Sequence, residues 1–543
     1  MRSRHGFDGA PNRGAPAGAF PLRGPRNSRV RIGAYGCALT PGRDNRRNVA
    51  SVMPPISSVL LVCAITLPAA LRGQELELES EIKSLAGAYA VLEENAADPV
   101  NSEQVFYQGA IPGLLRRLDP HSVFFDPGQF DQLKKLETST QKGFGTVVSL
   151  LPGRIIVLQT LPGTPSAKAG LAPGDEILGI NGYVIARLEL DQLTELLTQA
   201  RQHQAQLVVK RPGSARILEF NLMPEELQAP SVDRTFFVAA GIGYVRVASF
   251  EEATPGLLRD AIEKLGGEHL GGLILDLRNN PGGLLTAAQS TASLFLDPGQ
   301  KILSVRGRNV PEHSETVPED AKPYHFKLAI LVNEKTASAS EIVSGAMQDH
   351  DRATVLGQTS FGKGLVQSVF PVGEGAGLAL TTALYYTPSG RSIQKPLDAA
   401  QFELAGATAQ PKRRQEFHTD KGRTVTGGGG IQPDITVFPE AMNRLRAALE
   451  ASGSFTNFAT EYLSKHKITD DFEVTSNVVD DFRLYLSQQQ IQPSLSEWVV
   501  ERPFLENRLK TEIFNQAFGV EKGDEIDARR DPIIQRALEA LGG

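Results

Sequence analysis

Residues 272–283 read Gly272-Leu273-Ile274-Leu275-Asp276-Leu277-Arg278-Asn279-Asn280-Pro281-Gly282-Gly283. An apolar run of strand length, broken only by Asp276, stops at a turn of Asn, Pro and Gly, and a helix is expected over 284–296. The scheme recurs. Leu328 to Val332 is apolar, a turn is expected at 333–338, a helix at 339–350, and a third strand at Arg352 to Leu356. Buried apolar strands alternating with helices predict an α/β core with parallel strands. The loops at the C-terminal ends of such strands are where chemistry is expected.

Working outward, the chain of 543 residues is long enough for about three or four domains. Its 41% hydrophobic and 22% charged residues are ordinary for packed cores and exclude a wholly disordered or fibrous chain. The stretch 139–225 reads as a small β-rich module. Gly143-Phe144-Gly145-Thr146 precedes an apolar stretch, Ile155 to Leu158 is a strand, and another ends at Ile180. A helix is expected at 189–200 and a strand at 205–210. Before this module, 75–138 reads as helices. Leu78, Ile82, Leu85, Tyr89 and Leu92 form one stripe, expected to be core packing. A second helix is expected over 102–117, and a third opens at Asp126-Pro127 and runs through Phe130 and Leu133. From 440 onward the pattern is again amphipathic helix.

Charge is uneven. Residues 1–52 hold ten Arg, two Asp and no Lys or Glu, so they carry +8, and the other 491 carry −14. This Gly/Pro-rich basic stretch is expected to be a disordered extension, the product of a misassigned start codon rather than a functional arm. A net charge of −6 provides no footprint for nucleic acid. Val59 to Leu71 is a 13-residue, largely apolar run after an arginine-rich segment, the length of a signal-peptide core and short of the ~18 residues of a bilayer span. Residues 53–74 are therefore expected to be a leader, with the mature protein in the periplasm or cell envelope. Membrane association stays open only through an uncleaved leader. The two cysteines, Cys37 and Cys63, fall in or before it, so the mature chain has no thiol for a disulfide or a metal site.

Two segments carry candidate chemistry. Ser338-Ala339-Ser340-Glu341 precedes Ile342 and Val343 and satisfies the capping-box pattern, which alone accounts for Ser and Glu. The same geometry exposes a serine at a strand-to-helix turn, where backbone N–H groups can hold an oxyanion. Gly357 to Gly364 falls one residue short of a phosphate-binding loop, because Gly364 stands where Ser or Thr must meet magnesium and a strand follows. What remains is Lys363 between two glycines at a strand edge. There is no G-x-S-x-G elbow and no H-E-x-x-H. His350 lies about three turns beyond Ser338 and reads as a partner of the helix C-terminus.

Together these motifs resemble the C-terminal processing peptidases, or tail-specific proteases. The resemblance rests on Ser338-Ala-Ser-Glu-Ile, on Phe361-Gly-Lys-Gly with its lysine 25 residues after Ser338, and on Gln367. It rests also on Asp276-Leu-Arg-Asn-Asn-Pro-Gly-Gly, Leu118-Asp-Pro-His-Ser and Gly427 to Asp434, and it runs from about 80 to 440. It implies a multidomain α/β protein: a helical region (75–138), a PDZ domain (139–225), a crotonase-like α/β protease core (226–440) and a helical C-terminal region (441–543). It implies a serine endopeptidase with Ser338 as nucleophile, Lys363 as general base and Gln367 orienting the lysine. If 363–367 is extended, positions 363, 365 and 367 share a face. Oxyanion donors are implied at the N–H groups of Gly282 and Ala339. Gly143, Phe144, Gly145 and Thr146 are implied as the carboxylate-binding loop, with Phe144 and Leu193 as candidates to line the pocket for an apolar last side chain. No metal, nucleotide or other cofactor is required. The implied partners are exported proteins or peptides with a free apolar C-terminus, and homo-oligomerisation stays open. The competing reading is a catalytically silent PDZ adaptor. A lysine acts as a base only when neutral, so a reference pKa of ~10.4 has to fall by roughly three units, which desolvation on an apolar strand can supply.

Overall fold

The computed structural model describes residues 69–131, 142–151, 153–201, 203–214, 216–227, 230–395 and 415–542. The basic extension, most of the leader and Leu133 lie outside them. The chain forms two compact units, Met1–Glu94 and Asn95–Gly543.

In the first unit a single helix is described, α1 (Ala69–Asn95). Its stripe has the expected helical spacing but is not core packing: Leu78, Ile82 and Leu85 are all more than half exposed. Among the described residues this unit holds no second element to cover them, and exposed pairs such as Lys83–Glu79 at 2.7 Å run along the helix.

The second unit begins with the expected helix, formed as a π-helical stretch Gln104–Ala110 followed by Ile111–Leu115. A short strand, β1 (Val123–Phe125), follows, which sequence periodicity missed. The small module contains β2 (Thr146–Leu151), β3 (Arg154–Thr160), β4 (Glu176–Ile180), helix α2 (Leu190–Ala200), β5 (Ala205–Lys210) and β6 (Ile217–Leu222). Its antiparallel sheet has the order β2-β3-β4-β5-β6, which leaves β2 at an edge.

The core sheet is built from β7 (Val232–Ala239), β8 (Ile242–Val247), β9 (Gly272–Asp276), β12 (Lys327–Val332), β13 (Ala353–Gly357) and β16 (Ile435–Thr436), in that order. All its pairings are parallel except β7 with β8. Helices α3 (Thr254–Lys264), α4 (Leu285–Ala292) and α5 (Ala339–Asp349) cover one face. Leu273, Leu275, Leu328 and Ile330 point into that layer, and Ile274, Ala329 and Leu331 point into the other. This is the two-residue alternation of a strand buried on both sides. Every residue of α5 is buried.

A second, antiparallel sheet holds β10 (Lys301–Arg306), β11 (His313–Thr316), β14 (Leu365–Val372) and β15 (Ala376–Tyr386); β15 pairs with β1, β10 and β14. The C-terminal region is helical: α6 (Arg444–Ala451), α7 (Ser454–Lys465), α8 (Ser476–Gln488), α9 (Leu495–Phe518), α10 (Val520–Ala528) and α11 (Pro532–Leu541). Helices α6 to α9 pack around Phe455, Phe458, Phe482 and Trp498. Helix α11 lays Ile533, Ile534, Ala537 and Leu541 on the second face of the core sheet. No helix among the described residues is long and apolar enough to cross a membrane.

Candidate active site

Strand β12 ends in the turn that carries Ser338. The Asn333 N–H donates to Thr336 Oγ1, and the Thr336 hydroxyl donates to the Leu277 carbonyl at 2.8 Å. The Ala337 N–H donates to the Asn280 carbonyl at 3.0 Å. These bonds hold Ser338 at φ 56° and ψ −116°, outside the regions ordinary residues prefer, where strain persists only if the surroundings over-determine it. Ser338 is half-buried at the start of α5, whereas Ser340 is fully buried and its hydroxyl donates to the Asn280 carbonyl.

The capping glutamate does more than cap. Glu341 Oε2 accepts both the Ser338 N–H and the Lys363 N–H, each at 2.9 Å. Oε1 accepts the Gly362 N–H at 2.7 Å and the Ser360 hydroxyl. One buried carboxylate therefore ties the serine turn to the lysine segment. Burial pushes its pKa up against the pull of these donors. The Gly427–Asp434 stretch closes over the same segment: the Ile431 N–H donates to Ser360 Oγ, and the Ser360 N–H donates to the Ile431 carbonyl.

Lys363 is half-buried. No hydrogen bond joins its amine to the Ser338 hydroxyl in this structure. Its carbonyl accepts the hydroxyl of Tyr385, which is almost completely buried and whose pKa burial drives well above the ordinary value of 10.0 against the pull of Ser338. Sequence reasoning missed Tyr385 because it lies in β15 in no motif.

The β14–β15 register shifts between Val366 and Gln367, where Thr382 of β15 is the extra residue, so the alternation along β14 itself is uninterrupted. The Gln367 amide donates to the His121 carbonyl at 2.8 Å. The Leu118–Ser122 motif is thus part of the site. Asp119 accepts the His121 and Ser122 N–H groups and the Ser122 hydroxyl, and the Thr381 hydroxyl docks on it. The His121 pKa lies below its ordinary value, first from burial; Asp119 opposes the shift and the nearby Lys363 adds to it.

Of the implied oxyanion donors, the Ala339 N–H has no acceptor among the described residues. The Gly282 N–H is committed to Asn280 Oδ1 at 2.8 Å, while that of Gly283 has no acceptor among them. Gly282 is required by contact as well as by conformation: at φ 105°, a Cβ there would lie 2.8 Å from Ser338 Cβ. His350 bonds to Asp420 and to the Lys301 carbonyl, each at 2.7 Å, and takes no part in the site.

In the small module, Gly143 to Thr146 leads into the open edge of β2, and α2 lies beside that edge. Gly145 has φ 74°, and its carbonyl accepts the Leu161 N–H. Thr146 shares a hydrogen bond with Ser166. Phe144 is half-buried against the module's core. Leu193 is fully enclosed in that core with Ile155 and Val157, so it offers no surface to a ligand in this structure.

Comparison with known proteins decides the family. Residues 241–399 match Peptidase family S41, and 133–210 match the PDZ domain. A carboxy-terminal-processing protease of Bartonella bacilliformis is 38% identical over 303 residues, 54% of this chain and 68% of the relative. The chain belongs to the carboxy-terminal processing proteases of family S41. A Synechocystis carboxyl-terminal-processing protease is 34% identical over 55% of this chain and 70% of its own. The solved photosystem II D1 C-terminal processing protease is 26% identical, with a TM-score of 0.39 over 64% of this chain and 86% of that one. The protease thus joins a PDZ domain to an S41 core, with helical regions at both ends.

Proposed function

We propose that this protease is an endopeptidase with a Ser338–Lys363 dyad, which cleaves exported proteins captured by a free, apolar C-terminus on the PDZ domain. The observation that carries the reading is the single Glu341 oxygen shared by the Ser338 and Lys363 N–H groups. A capped helix alone has no need of that bridge. Neutral Lys363 takes the Ser338 proton as Oγ attacks the scissile carbonyl. The dyad bond closes by rotation of the flexible lysine stem as substrate enters, since catalytic hydrogen bonds commonly tighten only in the complex. The oxyanion forms against the Ala339 N–H and the 282–283 turn. Gln367 acts through the His121 turn, which lies beside the lysine. Lysine then gives its proton to the leaving amine, and a water that it deprotonates releases the acyl group.

The open edge of β2 supports tail capture, because an extended peptide adds there as a strand and ends at the Gly143–Thr146 loop. The leader supports work in the periplasm or cell envelope, and the native chain is expected to begin between residues 70 and 75. Native protein with 1–52 intact would overturn export by this route.

The deciding experiment measures cleavage of an unstructured peptide by Ser338→Ala and Lys363→Arg. Arg keeps the charge but yields no neutral base, so both variants are expected to lose all measurable cleavage while remaining folded. Substantial activity in the Arg variant would remove Lys363 as the base. Unchanged peptide binding with no cleavage in the parent protein would favour the silent adaptor.

A further inference from the structure

The Arg278 side chain has no part in the chemistry above, yet it sits at the root of the turn that packs on Ser338. Asp276, at the end of β9, is buried, and its carboxylate accepts the Tyr244 hydroxyl at 2.7 Å. The same carboxylate accepts the Arg278 N–H at 2.9 Å and the guanidinium at 2.6 Å. The guanidinium also reaches away from the sheet to Asp531 Oδ2 at 2.6 Å. Asp531 is the N-cap of α11, and its other oxygen accepts the Ile533 N–H at 2.8 Å and the Ile534 N–H at 3.3 Å. Helix α11 is itself fixed, with its apolar side on the core sheet and its Leu541 carbonyl held by Lys327 Nζ at 2.9 Å.

From Arg278 the chain has little slack before it meets the nucleophile. Asn279, at φ 60°, exchanges two amide hydrogen bonds with Asn333. Asn280 is fully buried; its side chain donates to the Val247 carbonyl and its own carbonyl receives the serine turn. Gly282 then lies against Ser338 Cβ.

We propose that Arg278 and Asp531 are positioning residues for the 279–283 turn, so that the last helix of the C-terminal region sets where the oxyanion donors stand relative to Ser338. The inference rests on Ser338 being the nucleophile. A guanidinium held between two carboxylates keeps its charge although largely buried, and has little freedom to rearrange. Losing the Asp531 arm leaves the guanidinium on Asp276 alone, so the turn is no longer tied to α11.

The test uses the full chain and a fluorogenic unstructured peptide with a free apolar C-terminus. Active sites are counted by end-point labelling with a fluorophosphonate. Asp531→Asn keeps an oxygen for the helix cap but removes the charge that ties Arg278 to α11. Arg278→Lys keeps the charge but cannot span both carboxylates. Each is expected to lower kcat per labelled site by about tenfold with KM within about twofold, since donors are displaced rather than deleted. The double variant is expected to be no worse than either single one. Arg536→Ala, which breaks an exposed pair with Glu539 on the same helix, is expected to leave kcat unchanged. The proposal falls if both single variants keep kcat per labelled site within about twofold of the parent. It falls equally if their losses reside in KM or in the number of labelled sites, because the pair is then a stability clamp. Full cleavage by Ser338→Ala would instead overturn the dyad and leave the positioning question without an object.

Discussion

The serine turn and the PDZ edge, the two places where the proposed function brings substrate to a strand, are built on opposite plans. Around Ser338 the backbone and buried polar groups are consumed by the protein itself: Glu341 takes four donors, Asn280 bridges three segments, and Tyr385 closes on the lysine carbonyl. Around β2 the edge is left open and only its root is tied, through Gly145 and Thr146. A catalytic constellation needs positions held to a fraction of an ångström before substrate arrives. A tail-binding edge needs unpaired backbone that a ligand can pair with. Damage to the first plan should therefore appear in kcat and stability, and damage to the second in KM.

The largest expected effect is at Glu341. Glu341→Gln conserves shape but replaces one accepting oxygen with a donor, leaving N–H groups of the two segments facing an NH₂. Removing a buried hub of this kind is expected to cost about 2–4 kcal/mol of stability and to lower kcat more than about a hundredfold. Urea melts and steady-state kinetics would show it, and near-normal kcat would mean the bridge does not hold the site.

Gly145→Ala probes the other plan. A Cβ there would lie 2.3 Å from Thr164 Cβ at a backbone angle that side chains avoid. KM is expected to rise about tenfold with kcat retained, and the parent's preference for a free over an amidated peptide C-terminus should vanish. If the parent cleaves both peptides equally, the PDZ edge is not the tail reader and the contrast fails.

Ser340→Ala separates the two serines of one motif. It deletes a buried bond to the Asn280 carbonyl, so about 1 kcal/mol of stability and at most about a threefold loss of kcat are expected. A loss approaching that of Ser338→Ala would exchange their roles.

The smallest effect is a pH dependence. Because His121 binds its proton less readily in the fold than at its ordinary 6.5, its share of stability is complete above that value and is lost as pH falls toward the lowered one. The melting temperature should fall between pH 7.5 and 5.5, and His121→Asn should flatten the fall by an amount of the order of a degree. An unchanged slope would show that burial in the fold does not lower the proton affinity of His121.

Sequence alone determined the elements whose reasons are local. Apolar runs ending in Asn-Pro-Gly-Gly or Ser-Ala-Ser-Glu announced strand, turn and helix, and the boundaries of β9, β12, α5 and α2 lie within a residue or two of expectation. It also singled out Ser338, Lys363 and the Leu118–Ser122 motif, but only through their combined resemblance to a known family, since a capping box alone accounts for Ser338. It could not say what covers each face of the buried apolar strand 272–277, because a continuous run has no period from which to assign its side chains to one layer or the other. That was decided when α11, more than 250 residues later, covered the second face. The stripe on α1 shows the converse: helical spacing defines a face but not whether anything packs on it. The partner of Gln367 is a carbonyl 246 residues earlier and the place of Leu193 turned on the module's core, neither of which has a local signature. Glu341 looked like a cap from its neighbours in sequence and became the bridge of the site only when the 360–363 segment folded onto it, because a buried carboxylate must be satisfied by whatever donors the tertiary structure brings to it.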